Sequence, residues 1–446
     1  MIEKIKSHIN KEIYDTSLEA KLLLLWLLVP YFMTVSRFIL HRFGLDNTTT
    51  ASVTLFIVSL IPIIVLILNI RKFDKKYYLP GICLFAVVVL LFVVTVAIHP
   101  DYMKFFTKPG YGISRILRPD SAIYAFLFVV LLKKSEEVMS VIKKYAVLDF
   151  AYMVIFGIMP RMVKGYFEDI NYIGEMVRRP YSLTFGYAML LPTVVFIYMF
   201  TKKHNILYII GAAIGAVSIF TYGNRGAWIL IWAYIAALLV TKAIHSENRS
   251  AIKIAIALVI AVVQLGVCAV GIPKVIGVVM VSIAEKNDDG NVEQEVPRTA
   301  VFASEGKFSD GTGRDEIWGS VEGAIKEGGL FGYGLYGDRQ FVEPHHYAGY
   351  SHNIVLEMVS NFGIIGVLII LKLIIDGIRM VFLCKDEYYR DVYIIMFTVA
   401  FQLFMSMSFW YVTEFWILLA VTYCYIYRDG KITTLGKIIK NKLTAK

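Results

Sequence analysis

The chain has 446 residues, 57% of them hydrophobic and 18% charged, with a formal net charge of +10. A mean hydropathy of +0.63 excludes a soluble globular domain. Apolar runs such as Gly81–Ile98 and Ile252–Val270 suit a bilayer, which needs about 20 residues at 1.5 Å rise.

The first twenty residues, Met1–Ala20, are charged, with isoleucines at 2, 5, 9 and 13 and no cleavable signal pattern. They predict an interfacial helix ahead of a retained span. Twelve apolar spans follow, at roughly 21–41, 49–69, 78–99, 118–132, 143–160, 181–200, 205–221, 226–241, 251–273, 353–376, 391–409 and 411–427. The pattern predicts an all-α polytopic membrane protein of about twelve transmembrane helices, with one large external loop before the tenth. It divides the chain into nine helices over 1–283, the external loop over 284–350, and three further helices with a basic cytoplasmic tail over 351–446.

Placing both termini in the cytoplasm gathers Arg71-Lys72, Lys75-Lys76, Lys133-Lys134, Lys202-Lys203 and the tail after Arg428 on one side, as the positive-inside rule requires. Four cysteines, at 83, 268, 384 and 424, fall in spans or at their cytoplasmic ends. Neither a disulfide nor a cysteine-held metal is expected.

Arg115, Arg118, Arg161, Lys164, Arg178, Arg179, Arg225, Arg314 and Arg339 break the rule by lying on the external side. Headgroup contact and loop solubility account for such residues in general. A basic vestibule for an anionic, lipid-linked substrate is the functional alternative. Arg225 sits between two apolar runs, and Asn205–Val240 gives only about 54 Å of helix for two crossings of a core about 30 Å thick. The turn that carries it should therefore lie below the outer surface, in a protein-enclosed cavity. An arginine there calls for a carboxylate such as Glu414, or for a phosphate.

The long loop begins acidic, over Glu285–Pro297, where mobility is expected. After Gly311-Thr312-Gly313, a helix is predicted over Arg314–Lys326, acidic at its start and basic at its end to suit the helix dipole. The glycines at 328, 329, 332, 334 and 337 lack the strand-turn-helix setting of a nucleotide loop. His345, His346 and His352 bring no fourth ligand at zinc spacing. His352, at the start of the tenth span, suits general-base work instead, because imidazole titrates near neutrality. Glu357, five residues on, does not share its helix face, so no dyad is assigned.

Together these motifs resemble the O-antigen ligase and polymerase superfamily of bacterial membrane glycosyltransferases. The resemblance is carried by Asn224-Arg225-Gly226-Ala227-Trp228, by Gly313-Arg314 with Trp318, by Leu330-Phe331-Gly332-Tyr333-Gly334, and by Ser351-His352-Asn353 through Gly363-Ile364-Ile365-Gly366. Arg179-Pro180 with Phe185-Gly186 also looks like the family's segment before its next span, although Tyr181–Tyr187 lacks the asparagine often found there. The resemblance implies inverting, metal-independent glycosyl transfer from an undecaprenyl-pyrophosphate-linked glycan in the bacterial cytoplasmic membrane, with the active site outside. It implies that Arg225 and Arg314 hold the pyrophosphate and that His352 is the base. Arg178, Arg179, Arg339, His345, His346, Tyr350 and Asn353 are further candidates for substrate contact.

No cofactor, metal or nucleic acid is expected. The partners are donor and acceptor glycans, membrane lipids, and a flippase and chain-length regulator. A repeat-unit polymerase is preferred, since nothing in the loop suggests a protein-docking module; the alternative is a ligase moving a finished glycan. A flippase fits less well: the spans are largely bare at mid-depth and no internal repeat is evident. The orientation is tested by Ser309→Cys, which should react with an impermeant thiol reagent in intact cells. Labelling only after permeabilisation would invert the topology.

Overall fold

A computed structural model describes residues 17–44, 48–108, 111–170, 175–248, 250–286, 296–306, 314–328, 330–346 and 349–430. Residues 1–16 of the expected interfacial helix, most of the acidic stretch (287–295), Ser309, Gly311-Thr312-Gly313 and the tail from 431 lie outside them. Helix dominates. The first span is a bent pair, α1 (Leu18–Leu27) and α2 (Val29–Arg42), meeting at 51°. Pro30 stands in the first turn of α2, where its missing N–H costs no helical bond. Then come α3 (Thr48–Leu68), α4 (Lys75–Ile98), α5 (Tyr124–Val130) and α6 (Ser135–Lys164). A π-helical turn at Val154–Ile158 interrupts α6 just before Pro160, which has no N–H to continue the ladder.

A short hairpin follows, β1 (Phe167–Ile170) against β2 (Met176–Arg179), antiparallel with Glu168 opposite Arg178. It is a small exception to the all-α expectation. After it come α7 (Leu183–Lys203), α8 (Ile206–Tyr222), α9 (Arg225–Ile244) and α10 (Ala251–Ile283). The segment between α10 and the last helices folds as α11 (Arg298–Ser304), α12 (Arg314–Glu327) and the single turn α13 (Arg339–Val342). The chain ends with α14 (Ile354–Leu383), α15 (Glu387–Ala400) and α16 (Thr413–Tyr423).

Among the described residues, six helices are long and apolar enough to cross a membrane, or seven counting the α1–α2 pair as one span. The span expected over 118–132 differs most. Its helix has 7 residues, or about 10 Å, too short to cross alone. It lies buried in the bundle with two outside groups holding its ends. The Trp26 indole donates to the Pro119 carbonyl at 2.8 Å, and Arg428 Nη1 donates to the Val130 and Leu132 carbonyls at 2.9 and 2.7 Å. The last two spans are similarly separated by a non-helical stretch before Thr413. Exposed side chains such as Leu90, Val259 and Leu368 form an apolar belt that suits hydrocarbon rather than water.

The helix expected over Arg314–Lys326 is α12, and it folds down onto the bundle. Ile317, Val321 and Val342 form a small core beneath it, with Trp318 and Leu356 alongside. The deeper anchor is made by backbone. Helix α14 breaks at Gly363 (φ 55°, ψ −130°), which frees peptide groups that the membrane interior cannot hydrate. The loop at 330–334 supplies their partners. Tyr333 N–H donates to the Ser360 carbonyl at 2.9 Å, Gly334 N–H to Asn361 at 2.8 Å, and Ile364 N–H to Leu330 at 2.9 Å. A Cβ on Gly363 would stand 2.1 Å from the Leu330 carbonyl oxygen, and one on Gly332 would stand 2.6 Å from the Gly363 nitrogen. The glycines of Leu330–Gly334 and of Gly363 are therefore two halves of one joint. Gly363→Ala should cost at least the 1–3 kcal/mol of a strained left-handed residue, read as a lower thermal midpoint in detergent. An unchanged midpoint would remove the joint from the stability of the fold.

Candidate active site

Asn353 opens α14 as its N-cap, its side-chain oxygen accepting from the Val355 and Leu356 N–H groups at 2.9 and 3.3 Å. Immediately before it, His352 takes a left-handed conformation at φ 54°, which a side-chain-bearing residue adopts only when its surroundings compel it. Those surroundings are the neighbours of Ser351. Its N–H donates to Asp338 Oδ2 at 3.0 Å, and its carbonyl accepts from the Trp318 indole of α12 at 3.1 Å. Asp338 is itself pinned, its N–H donating to the Asn361 side-chain oxygen at 2.9 Å. The folded loop and the broken helix thus jointly aim the imidazole.

The His352 ring packs edge-on to His346 with centroids 4.6 Å apart and lies 4.4 Å from Tyr350. It is 8% exposed, and neither ring nitrogen has a hydrogen-bond partner among the described residues. Burial, with smaller contributions from His346, Arg314 and Arg339, holds its pKa well below the usual 6.5. The ring is therefore neutral at physiological pH. His346 is shifted down in the same way, by burial and then by Arg314 and Lys108.

Arg314 begins α12, half-buried, and burial lowers its own pKa while leaving it a cation. Arg225 begins α9 behind Asn224, whose side-chain oxygen accepts from the Ala227 N–H at 2.8 Å. The turn carrying it follows a 17-residue α8 of about 26 Å, a little less than the roughly 30 Å of a bilayer core. Tyr187 of α7 lies between the two arginines. Both of their charges act on it, and its hydroxyl packs so close to Gly226 that a Cβ there would approach within 2.5 Å. Arg225, Tyr187, Arg314 and His352 thereby form one continuous group, although 165 residues separate the tyrosine from the histidine. Glu414 stands within electrostatic reach of Tyr145 and Asp149.

The other candidates fall in several places. Arg178 stacks on Tyr166 at 4.7 Å, and Arg179 donates to the Tyr181 hydroxyl at 3.1 Å, both on the hairpin flank. Arg225 and Arg298 stand over Phe302 at 4.4 and 5.1 Å, which brings α11 to the same mouth. Arg339 lies beneath the site, 1% exposed, 3.9 Å over the Tyr336 ring and donating to the Tyr411 hydroxyl at 3.1 Å. Tyr350 is buried against His352, while Asn353 is occupied in capping α14. His345 turns outward to Ser320 at 3.1 Å and Glu316 at 3.9 Å. Among the described residues, no group of three or more His, Cys, Asp or Glu side chains is placed to hold a metal.

Tyr187, Asp338, Asn361 and Tyr411 were not singled out from the sequence. Glu357, read as sharing no face with His352, is fully buried and accepts from the Ser408 hydroxyl at 2.5 Å. No local pattern marks these residues, since each matters through a partner far along the chain. Only the Phe185-Gly186 resemblance pointed near Tyr187.

Residues 210–371 match the family model described as O-Antigen ligase, a stretch that contains Arg225, Arg314 and His352. That match supports the O-antigen ligase/polymerase superfamily, a glycosyltransferase-like family whose substrates are lipid-linked glycans. No curated protein and no solved structure matches it.

If proton transfer to neutral His352 limits the reaction, activity should persist as pH falls through 6.5 and decline only well below it, as the depressed imidazole finally protonates. The kcat/KM profile of the free enzyme reads this. An acid limb at or above 6.5 would contradict it.

Proposed function

We propose that the protein polymerises undecaprenyl-pyrophosphate-linked oligosaccharide repeat units into a surface polysaccharide by inverting glycosyl transfer. The observation that carries this reading is a buried, neutral His352 with no hydrogen-bond partner for either nitrogen among the described residues, beside the Arg314 guanidinium. In the reaction, an acceptor hydroxyl oxygen forms a bond to the donor's anomeric carbon while that carbon's bond to the pyrophosphate oxygen breaks. The hydroxyl proton passes to His352. The electron pair leaves with undecaprenyl pyrophosphate, whose developing charge Arg225 and Arg314 pair through their forked N–H groups. Donor activation already resides in the pyrophosphate, so the residues need only bind, orient and take one proton.

Cytoplasmic termini and an external catalytic loop over 284–350 complete the proposal, with a flippase delivering units and a regulator limiting chain length. The family description favours one second reading, a ligase that moves a finished glycan to a different acceptor.

Purified protein given lipid-linked repeat units, without metal or nucleotide, should yield a ladder of polymer sizes. Transfer only to an added second acceptor would make it a ligase, and no transfer in either case would end the proposal. In the same assay Arg225→Lys and Arg314→Lys should lower yield, because an ammonium cannot reproduce bidentate pairing. His352→Ala should lose about 10²- to 10⁴-fold with donor binding retained. His345→Ala should be milder, and chelators should have no effect. Wild-type turnover by His352→Ala would remove it as the base, and metal-dependent recovery after chelation would recast the histidines as ligands.

A further inference from the structure

A recess of about 310 Å³ lies beside the active site, between the bend of the first span, the turn before α5 and the start of α16. Its walls include Pro30, Arg115, Arg118, Asp120, Tyr411 and Thr413. From His352 it is reached through aromatic neighbours distinct from those that lead to the pyrophosphate arginines. Arg314 and Tyr187 connect the histidine to Arg225. In the other direction Tyr350 lies 4.4 Å from His352 and 6.1 Å from Tyr411, and Tyr111 stands 6.3 Å from both tyrosines.

The polar groups of the recess are matched to hydroxyls rather than to a free anion. Arg118 holds Asp120 with both Nε and Nη2, the latter at 2.8 Å, and Arg115 Nη1 reaches the same carboxylate at 3.4 Å. A phosphate would have to compete with that carboxylate for both guanidinium groups. A sugar hydroxyl can accept from a guanidinium and donate to the carboxylate together. The Tyr411 hydroxyl is already engaged, donating to the Tyr111 carbonyl at 2.8 Å and accepting from Arg339, so its ring is the part left to meet a ligand. Such a ring offers an apolar face to the C–H side of a pyranose. The volume is near the lower end for small-molecule sites, roughly 300 to 1,000 Å³.

We propose that this recess is the acceptor subsite and takes the uncharged, non-reducing-end sugar of the acceptor glycan. The inference rests on the transferase reading above. Inverting displacement brings the entering oxygen in opposite the departing pyrophosphate, with the base beside the entering oxygen. An acceptor sugar held beyond Tyr350 meets that requirement, with Arg225 and Arg314 on the donor.

A benzophenone amino acid in place of Thr413, in the full-length protein in cells making the polymer, should give glycan-bearing photoadducts. The same group at Ile64, on the lipid-facing side of α3, should not. The adduct should survive His352→Ala, since binding an acceptor does not need the base. Asp120→Asn should raise the repeat-unit concentration for half-maximal ladder formation about tenfold, the scale of one lost charged hydrogen bond, with binding of glycan-free undecaprenyl pyrophosphate unchanged. Adducts to phospholipid alone, or none above the Ile64 control, would overturn the proposal. So would suppression of Thr413 adduct formation by glycan-free undecaprenyl pyrophosphate added to isolated membranes before irradiation, which would make the recess a second pyrophosphate site. If His352→Ala polymerised normally while the glycan adduct persisted, the base assignment would fall and the subsite would stand.

Discussion

The backbone pairing of residues 330–334 with the break in α14 at Gly363 is the contact on which the site's geometry rests. A helix interrupted within a membrane exposes peptide groups that neither lipid nor a distant side chain can satisfy. Here the loop before α14 meets that need, with Tyr333 and Gly334 donating to the Ser360 and Asn361 carbonyls. The pairing brings Asp338 to Asn361 and Ser351, and through Ser351 it sets the left-handed turn that carries His352. A loop that could otherwise have moved freely above the bundle becomes part of its packing. The imidazole is positioned through backbone groups of Ser351 and Asp338 that the Asp338, Trp318 and Asn361 side chains hold.

The electrostatics follow from the same enclosure. Burial and nearby guanidinium groups make a charged imidazole costly at 352, so the ring is neutral when an acceptor arrives. In the proposed reaction the Arg314 charge that discourages protonation of His352 would also pair the negative charge developing on the leaving group. Beneath the site, Asp338 and Arg339 are adjacent in sequence and buried together, and burial raises the Asp338 pKa while the Arg339 charge opposes the rise.

Much of this was legible from residue order. Apolar length and basic asymmetry indicated a polytopic membrane protein, and the short reach of Asn205–Val240 agrees with an α8 of only 17 residues. The start of α12 at Arg314 followed from its charge pattern, and the motifs around Arg225, Arg314 and His352 carried the family. Where the reading of spans departed from the structure, length was the reason. Residues 118–132 are apolar enough to pass for a crossing, yet Pro119 and the ion-paired turn at Arg118–Asp120 delay the helix to Tyr124. Hydrophobicity reports burial and cannot separate a span from a short helix enclosed by protein.

The sequence by itself determined the environment of the chain, the residue types able to hold a pyrophosphate and take a proton, and their order along the polypeptide. Those properties depend on composition and local pattern. Tertiary structure alone decided that Tyr187 stands between Arg225 and Arg314, that Asp338 holds the turn of His352, and that Tyr411 divides a recess from the histidine. Each of these is a meeting of segments tens to hundreds of residues apart. Such meetings are set by which helix breaks find backbone partners, and no periodicity within a single segment records them.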